Sequence, residues 1–367
     1  MNAIKNVKIV VGGKILEESV FLFEGDRIQG FSKEIPQGAK IIDGGGLYLS
    51  AGLIDQHIHG YGGEDTMTHS PKGMAKGLPQ NGVTAFLPTT MTQDEQTIAA
   101  AFRRIRTAQK EAKGARILGA HMEGPFIHPE KKGAQNGEYI LPPDSEMVED
   151  IVKIVTYAPE RDRENRFAQK MAERGIIASL GHTTATFAEA KAAYEAGAKS
   201  TTHFFNAMPP LHHRDPGVIG AALSGDAYIE LIADTIHVSP DLFPILTRLK
   251  KERICLITDC MEAGGLPDGR YALGGQPVEV KERTARLLDG TLAGSVLKLN
   301  EGVRNMARFG EVTLAEALMM ATENPARLLG LSEMGTLKEG NLADFILLNE
   351  ECEIFATFVG GECVYQR

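Results

Sequence analysis

His57-Ile58-His59 sets two imidazoles two residues apart at the end of an apolar stretch, LIDQHIH. In a β-strand, residues i and i+2 face the same side, so both rings can reach one metal centre. Further along the chain, residues of similar chemistry close other strand-like segments. Glu123 ends RILGAHME, His182 ends IIASLGH, and His203 closes KSTTH. YIELIAD runs through Asp234 to His237, and Asp259 ends ICLITD. Imidazole and carboxylate ligands suit a borderline divalent ion: Zn²⁺, Fe²⁺, Mn²⁺ or Co²⁺. Such an ion brings the pKa of bound water to about 7, which is the chemistry of hydrolysis at an amide, ester or related bond. Glu123 can bridge two ions or bind one, and Asp259 can coordinate or carry a proton.

Each residue alone has a plainer reading. A lone strand histidine is more often a buried, hydrogen-bonded one. Glu123 before Gly-Pro, and Asp259 before Cys-Met, could cap turns. The joint pattern is what argues for a site, because five of the ten histidines fall at successive strand ends. His121, two residues before Glu123, shares its face and can support a ligand. His69 and His128 read as structural or loop residues. His212-His213-Arg214, after Met208-Pro209-Pro210, is either a solvated loop or an anion contact through the planar fork of Arg214. Walker A, G-x-G-x-x-G and G-x-S-x-G patterns are absent, so nucleotide-dependent and serine-hydrolase chemistry loses its main support.

Something must hold these side chains together. From Gly52 onward, eight strand-like segments (53–59, 83–89, 116–123, 151–158, 176–182, 199–204, 228–234 and 254–259) alternate with helical patterns. Residues 95–113 carry Ile98, Phe102 and Ile105 at helical spacing; 184–196 stop at Gly197; 239–252 open on Ser239-Pro240. A doubly wound sheet gives the same alternation. Polar residues gathered at the strand C-termini favour an α/β fold of the (β/α)8 TIM-type barrel class. Residues 4–49 read as an antiparallel β unit, and the tail after 331 returns to strands. The expected organisation is a small β-sandwich domain formed by both termini (1–52 and 331–367) around a barrel at 53–330. The Gly-rich stretch after Asp259 reads as a loop and a β-hairpin. Thr313-Leu314-Ala315-Glu316 reads as a capping box opening a helix through ALMMATENPARLLGL.

The 367 residues are 43% hydrophobic and 24% charged, which fits a folded chain with a sizeable core. A net charge of −9 without a basic block argues against nucleic acid as a partner. No apolar run reaches the roughly 20 residues of a membrane helix. The N-terminus lacks the pattern of a secretory signal. Four late cysteines without C-x-x-C read as free thiols. A cytoplasmic protein with no membrane partner is the expectation.

Several longer motifs carry a resemblance. Ala51-Gly-Leu-Ile-Asp-Gln-His-Ile-His59 and Gly335-Thr-Leu-Lys-Glu-Gly-Asn-Leu-Ala-Asp-Phe345 resemble the amidohydrolase superfamily. His121-Met-Glu-Gly-Pro-Phe126, Thr202-His-Phe-Phe-Asn-Ala-Met208, Ala233-Asp-Thr-Ile-His237 and Asp289-Gly-Thr-Leu-Ala-Gly-Ser295 narrow it to the deacetylases of N-acetylglucosamine 6-phosphate. The match is in order and spans nearly the whole chain. It implies one or two divalent ions per subunit, held by Glu123, His182 and His203, with His57 and His59 holding the second. It implies that Asp259 moves the proton, and that His237, Asn206, Ala207, Ala134 and Arg214 bind an amino-sugar phosphate. Arg214 would reach the partner's site in a homodimer. Thr235 and Cys260 depart from the residues usual in the family, Gly and Ala. The nearest rivals are cyclic-amide hydrolases and deaminases, many of which carry a lysine at the end of strand four. Here that strand ends Tyr157-Ala158-Pro159-Glu160. A non-catalytic scaffold, or a sugar-phosphate-binding regulator, would not need the full ligand set with Asp259.

Overall fold

The computed structural model describes residues 1–16 and 19–367. Eight parallel strands form a barrel: β1 (Leu53–Ile58), β2 (Val83–Thr90), β3 (Ala120–Glu123), β4 (Val152–Tyr157), β5 (Ile177–Leu180), β6 (Ser200–Thr201), β7 (Tyr228–Ile232) and β8 (Ile254–Ile257). Each pairs with the next in parallel register. The last closes on the first just beyond its end. The Asp259 N–H donates to His57 O at 2.9 Å, the His59 N–H donates to Cys260 O at 2.8 Å, and the Thr258 hydroxyl donates to Asp55 Oδ2 at 2.7 Å. All six residues of β1 and all eight of β2 are buried, as expected of strands covered on both faces.

Helices cover the outside for the reasons the sequence gives. In Glu95–Glu111, Ile98, Ala101, Phe102, Ile105 and Ala108 form the buried stripe, and Asp94 caps the start by accepting from Thr97 N at 3.0 Å. Phe187–Glu195 begins with a capping box between Thr186 and Glu189. Ser239 caps a 3₁₀ turn at Pro240–Leu242 that leads into the helix Phe243–Lys250.

Both termini build two further sheets. Four strands run in the order Arg27–Ser32, Val20–Glu24, Asn2–Lys5, Lys40–Asp43. Six run Glu362–Gln366, Ile354–Val359, Phe345–Leu348, Tyr48–Ala51, Lys8–Val11, Lys14–Leu16. Between the two sheets, Phe345 stacks on Phe358 at 4.4 Å between centroids and meets Phe21 edge-on at 5.0 Å. Arg116 ties this unit to the barrel with a two-pronged bond to Asp344, at 2.7 and 3.1 Å.

Four local expectations need correction. The third strand segment is broken at Gly119: Arg116–Ile117 pairs only with β2, and β3 starts at Ala120. Gly119 sits at φ 149°, where an added Cβ would lie 2.5 Å from Ile151 O. The N-terminal unit is not purely antiparallel, since Asn2–Lys5 pairs Lys40–Asp43, and Lys8–Val11 pairs Tyr48–Ala51, in parallel. The stretch after Asp259 is a three-stranded antiparallel sheet, Gly269–Leu273, Gln276–Lys281 and Thr284–Leu287. The Thr313 capping box forms, but its helix ends at Met319 and a second one runs Glu323–Leu329. Pro325 requires that break, because inside a continuous helix it would remove a hydrogen bond and clash with the residue four before it. Among the described residues, no helix is long and apolar enough to cross a membrane, and all four cysteines are free.

Candidate active site

The C-terminal ends of the barrel strands bring the predicted ligands together. Glu123, ending β3, is the hub. Its Oε1 lies 3.2 Å from His182 Nε2, 3.0 Å from His203 Nε2 and 3.5 Å from His57 Nε2. Its Oε2 lies 3.2 Å from His59 Nε2. Two triads result, His57–His59–Glu123 and Glu123–His182–His203, each with ligand atoms within 4.8 Å of one another and all buried. Asp259 Oδ1 sits beside the first triad, 3.1 Å from His59 Nε2 and 3.5 Å from His57 Nε2.

The local backbone is bent to achieve this. His182, His203, Phe205, Ala207, Thr235 and Asp259 all have positive φ, six of the thirteen non-glycine residues that do among the described residues. Such residues cost about 1–3 kcal/mol each, and they persist where surrounding structure fixes a functional geometry. Gly124, which follows Glu123, has φ +74°, and a Cβ there would lie 2.0 Å from Thr92 Oγ1. The Glu-Gly sequence is thus a steric requirement for turning out of β3.

The outer nitrogens define the proton positions. His57 Nδ1 faces Glu230 Oε2 at 2.9 Å, His59 Nδ1 faces Thr89 O at 3.2 Å, and His182 Nδ1 faces Lys131 O at 2.7 Å. Each partner only accepts, so each Nδ1 carries a proton. In the neutral rings, Nε2 then presents a lone pair inward. His57 and His59 Nε2 are 3.3 Å apart, His182 and His203 Nε2 are 3.0 Å apart, and the Glu123 oxygens lie among them. Lone pairs converging on carboxylate oxygens need positive charge between them. A divalent cation with nitrogen and oxygen ligands satisfies that need, so the donor set fits one.

The titration tendencies report the same field. Burial opposes charge on His59, but Asp259 and Glu123 raise its pKa to about 9, and the same carboxylates with Glu230 raise His57 well above normal. Burial pushes Asp259 up, yet His57 and His59 hold it down to about 2. Glu123 is held well below the carboxylate range against its own burial, first by His57 and then by His182 and His203. Asp55 goes the other way: burial raises it to about 7, only partly offset by Thr258 and His57.

Above the ligands lies a cavity of about 350 Å³ whose wall includes His59, Glu123, His182, His203, His237 and Asp259. Ala134, Asn206 and Ala207 also line it. His237 Nδ1 is fixed by Asp234 Oδ2 at 2.7 Å, while the Asn206 amide donates to the carbonyls of His203 and Phe204. Arg214 is different. It is exposed, its guanidinium meets His213 at 2.7 Å, and it is not among the lining residues of this chain's own cavity. His121 is locked beneath the site, with Nδ1 to Gln56 O at 3.1 Å and Nε2 to Thr156 Oγ1 at 2.8 Å; burial and the neighbouring His57 lower its pKa to about 3.

Three contributors escaped the sequence reading. Glu230 is a buried carboxylate in the middle of β7, and its charge inside an apolar strand was the available signal. Gln135 donates to Glu123 Oε2 at 2.6 Å and accepts from Thr92 N at 2.7 Å. Lys131 lines the cavity and supplies the carbonyl that orients His182. Neither loop residue has a local sequence pattern that marks it. The rival arrangement with a lysine at the end of strand four is not present: Lys153, the lysine of β4, is exposed, and Glu123 supplies the shared carboxylate from β3.

Comparison with known proteins places this geometry. Residues 48–364 match the model of the amidohydrolase family. The chain is 40% identical over 383 residues to the N-acetylglucosamine-6-phosphate deacetylase of Bacillus subtilis, covering 99% of this chain and 96% of that one. It is 37% identical over 327 residues to an N-acetylgalactosamine-6-phosphate deacetylase of Escherichia coli O157:H7, covering 86% and 87%. A substituted form of the Mycobacterium smegmatis N-acetyl-D-glucosamine-6-phosphate deacetylase, solved in complex with N-acetyl-D-glucosamine-6-phosphate, superposes with a TM-score of 0.92 at 28% identity, covering 100% and 99%. The chain belongs to the amidohydrolase family, and within it to the group whose members carry N-acetyl-hexosamine-6-phosphate deacetylase names.

Proposed function

We propose that this protein hydrolyses the N-acetyl group of N-acetyl-D-glucosamine 6-phosphate, giving D-glucosamine 6-phosphate and acetate, in amino-sugar catabolism and cell-wall sugar recycling. The observation that carries the reading is the pair of triads joined at Glu123 with Asp259 beside them, bordering a cavity of about 350 Å³, within the size range of small-molecule sites. Glu123, His182 and His203 would hold one divalent ion, and His57 and His59 with Glu123 a second. A bound ion would supply polarisation of the acetamide carbonyl and a water whose pKa is lowered to about 7, so that hydroxide is available near neutral pH. Asp259, ionised and set beside His59, accepts the proton of the attacking water and delivers it to the leaving nitrogen. His237, oriented by Asp234, contacts the sugar. Asn206, Ala207 and Ala134 form the wall of the substrate site.

Arg214 lies outside its own chain's cavity, and the proposal assigns it to the phosphate in the site of a partner subunit of a cytoplasmic homodimer. The division into a catalytic barrel (53–330) and a β-sandwich domain (1–52 and 331–367) belongs to the same reading. A hydrophobic cluster built wholly from the terminal segments, around Phe21, Phe23 and Phe345, supports it, while Val10, Ile346 and Ile354 pack into the barrel's own cluster and join the two parts.

The test is acetate release by metal-stripped protein with Zn²⁺, Fe²⁺, Mn²⁺ or Co²⁺ added back. N-acetylglucosamine 6-phosphate, its galactosamine epimer and the unphosphorylated sugar are the three substrates. Metal-dependent release that requires the phosphate is expected, with the glucosamine compound preferred. Protein that binds metal and hydrolyses none of the three ends the proposal.

A further inference from the structure

Four histidines of the two triads differ in what holds their outer nitrogen. His59 and His182 face backbone carbonyls, and His203 Nδ1 is buried without a hydrogen-bond partner. Only His57 faces a carboxylate, that of Glu230. Glu230 is fully buried in β7, two strands away from β1 around the barrel seam. Burying a carboxylate there is costly unless it is fully engaged. Its Oε1 accepts from Gln56 Nε2 at 2.8 Å, and its Oε2 meets His57 Nδ1 at 2.9 Å and the His203 N–H at 3.3 Å. Both side-chain contacts go to adjacent residues of β1. The ring of His203 is not touched.

We infer that Glu230 is a positioning residue for His57: it fixes the Nδ1–H tautomer, aims Nε2 at the Glu123 side and strengthens that nitrogen as a ligand. It thereby supports the ion of the His57–His59–Glu123 triad through a ligand ring, while it meets the Glu123–His182–His203 triad only at the His203 main-chain N–H and orients neither of that triad's rings. A carboxylate behind a ligating imidazole raises its basicity more than a carbonyl does, and loss of such a partner costs about 10–100-fold in metal affinity. The inference rests on the metal-site reading above but not on the identity of the substrate.

Calorimetric titration of metal-stripped protein with Zn²⁺ tests it, comparing wild type with E230Q and E230D. Wild type is expected to take two ions. E230Q keeps one at near wild-type affinity and binds the other about 10–100-fold more weakly, and E230D recovers part of the loss. An E230Q isotherm that overlays the wild type, an equal weakening of both ions, or a wild type that takes a single ion each overturns the inference. Should E230Q fail to fold, long-range proton–nitrogen correlation on the Zn²⁺-loaded wild type gives the answer directly. His57 must carry its proton on Nδ1, and a proton on Nε2 overturns the assignment. Protein that binds both ions as expected yet releases no acetate ends the deacetylase reading and leaves the role of Glu230 standing.

Discussion

Replacing Asp259 with Asn separates proton transfer from everything else this residue does. The backbone around it is held by main-chain bonds that survive the change: its N–H donates to His57 O at 2.9 Å, and its carbonyl accepts from Ser295 N at 2.7 Å. Asp259 has φ 49°, and Asn is the substitute that tolerates this left-handed conformation best. Among the described residues, its carboxylate pairs with His59 and His57, at 3.1 and 3.5 Å. Asn keeps an oxygen there but cannot accept a proton. General acid–base help is worth about 10²–10⁴-fold, so kcat should fall by that factor, or about 3–5 kcal/mol of barrier. KM should change little, because the residue acts on water and leaving group rather than on sugar or phosphate. Acetate release under saturating substrate is the assay, with metal content and thermal midpoint measured on the same preparation. A metal-loaded, folded variant within tenfold of wild-type kcat would refute the assignment of the proton to Asp259.

The other predictions concern the ions and the scaffold. Chelation should abolish acetate release while leaving a folded barrel, checked by circular dichroism and recovery on metal addition. In the metal-free protein His59 titrates near 9 instead of its ordinary 6.5. Its stabilising contribution is complete below about pH 6.5 and is lost as pH rises through 9. The thermal midpoint of stripped protein should therefore drop across that window, and that of loaded protein should not. Gly264→Ala would put a Cβ 2.2 Å from Cys260 Sγ, next to Asp259. Overpacking there should cost about 1–3 kcal/mol in chemical denaturation and lower kcat as well. Phe345→Ala, in the terminal sheets, should cost about 3–5 kcal/mol in denaturation yet leave kcat unchanged in the folded protein.

The parts of the molecule legible in the sequence are those where a periodic pattern coincides with chemistry. The barrel class followed from strands alternating with helices and from polar residues at strand ends; His57 and His59 do point the same way. Long-range consequences were harder to read. The break at Gly119 depends on the approach of Ile151 O, a contact between strands. The parallel pairing of Lys8–Val11 with Tyr48–Ala51 depends on a strand order that no local pattern encodes. Gln135 and Lys131 reach the ligands from a loop whose sequence is ordinary. Strand lengths were overestimated where the ligands sit: β5 ends at Leu180 and β6 at Thr201, and His182 and His203 lie beyond them in strained turns.

That displacement has a physical cause. A ligand inside a regular strand is confined to the pleat, and its direction is set by alternation alone. His57 accepts this confinement, and it is the histidine given a buried carboxylate to fix its ring. His182 and His203 leave the pleat through positive φ, so the backbone itself aims them at Glu123. Two ways of orienting an imidazole therefore meet at one carboxylate. On the β1 side the price is a buried charge on Glu230, and on the β5–β6 side it is backbone strain. Each cost, of the order of a few kcal/mol, is set against the large hydrophobic core that the barrel strands share with the surrounding helices. The same reasoning explains why the charge in β7 looked out of place: YIELI would be a better strand without its Glu, and the site would be worse.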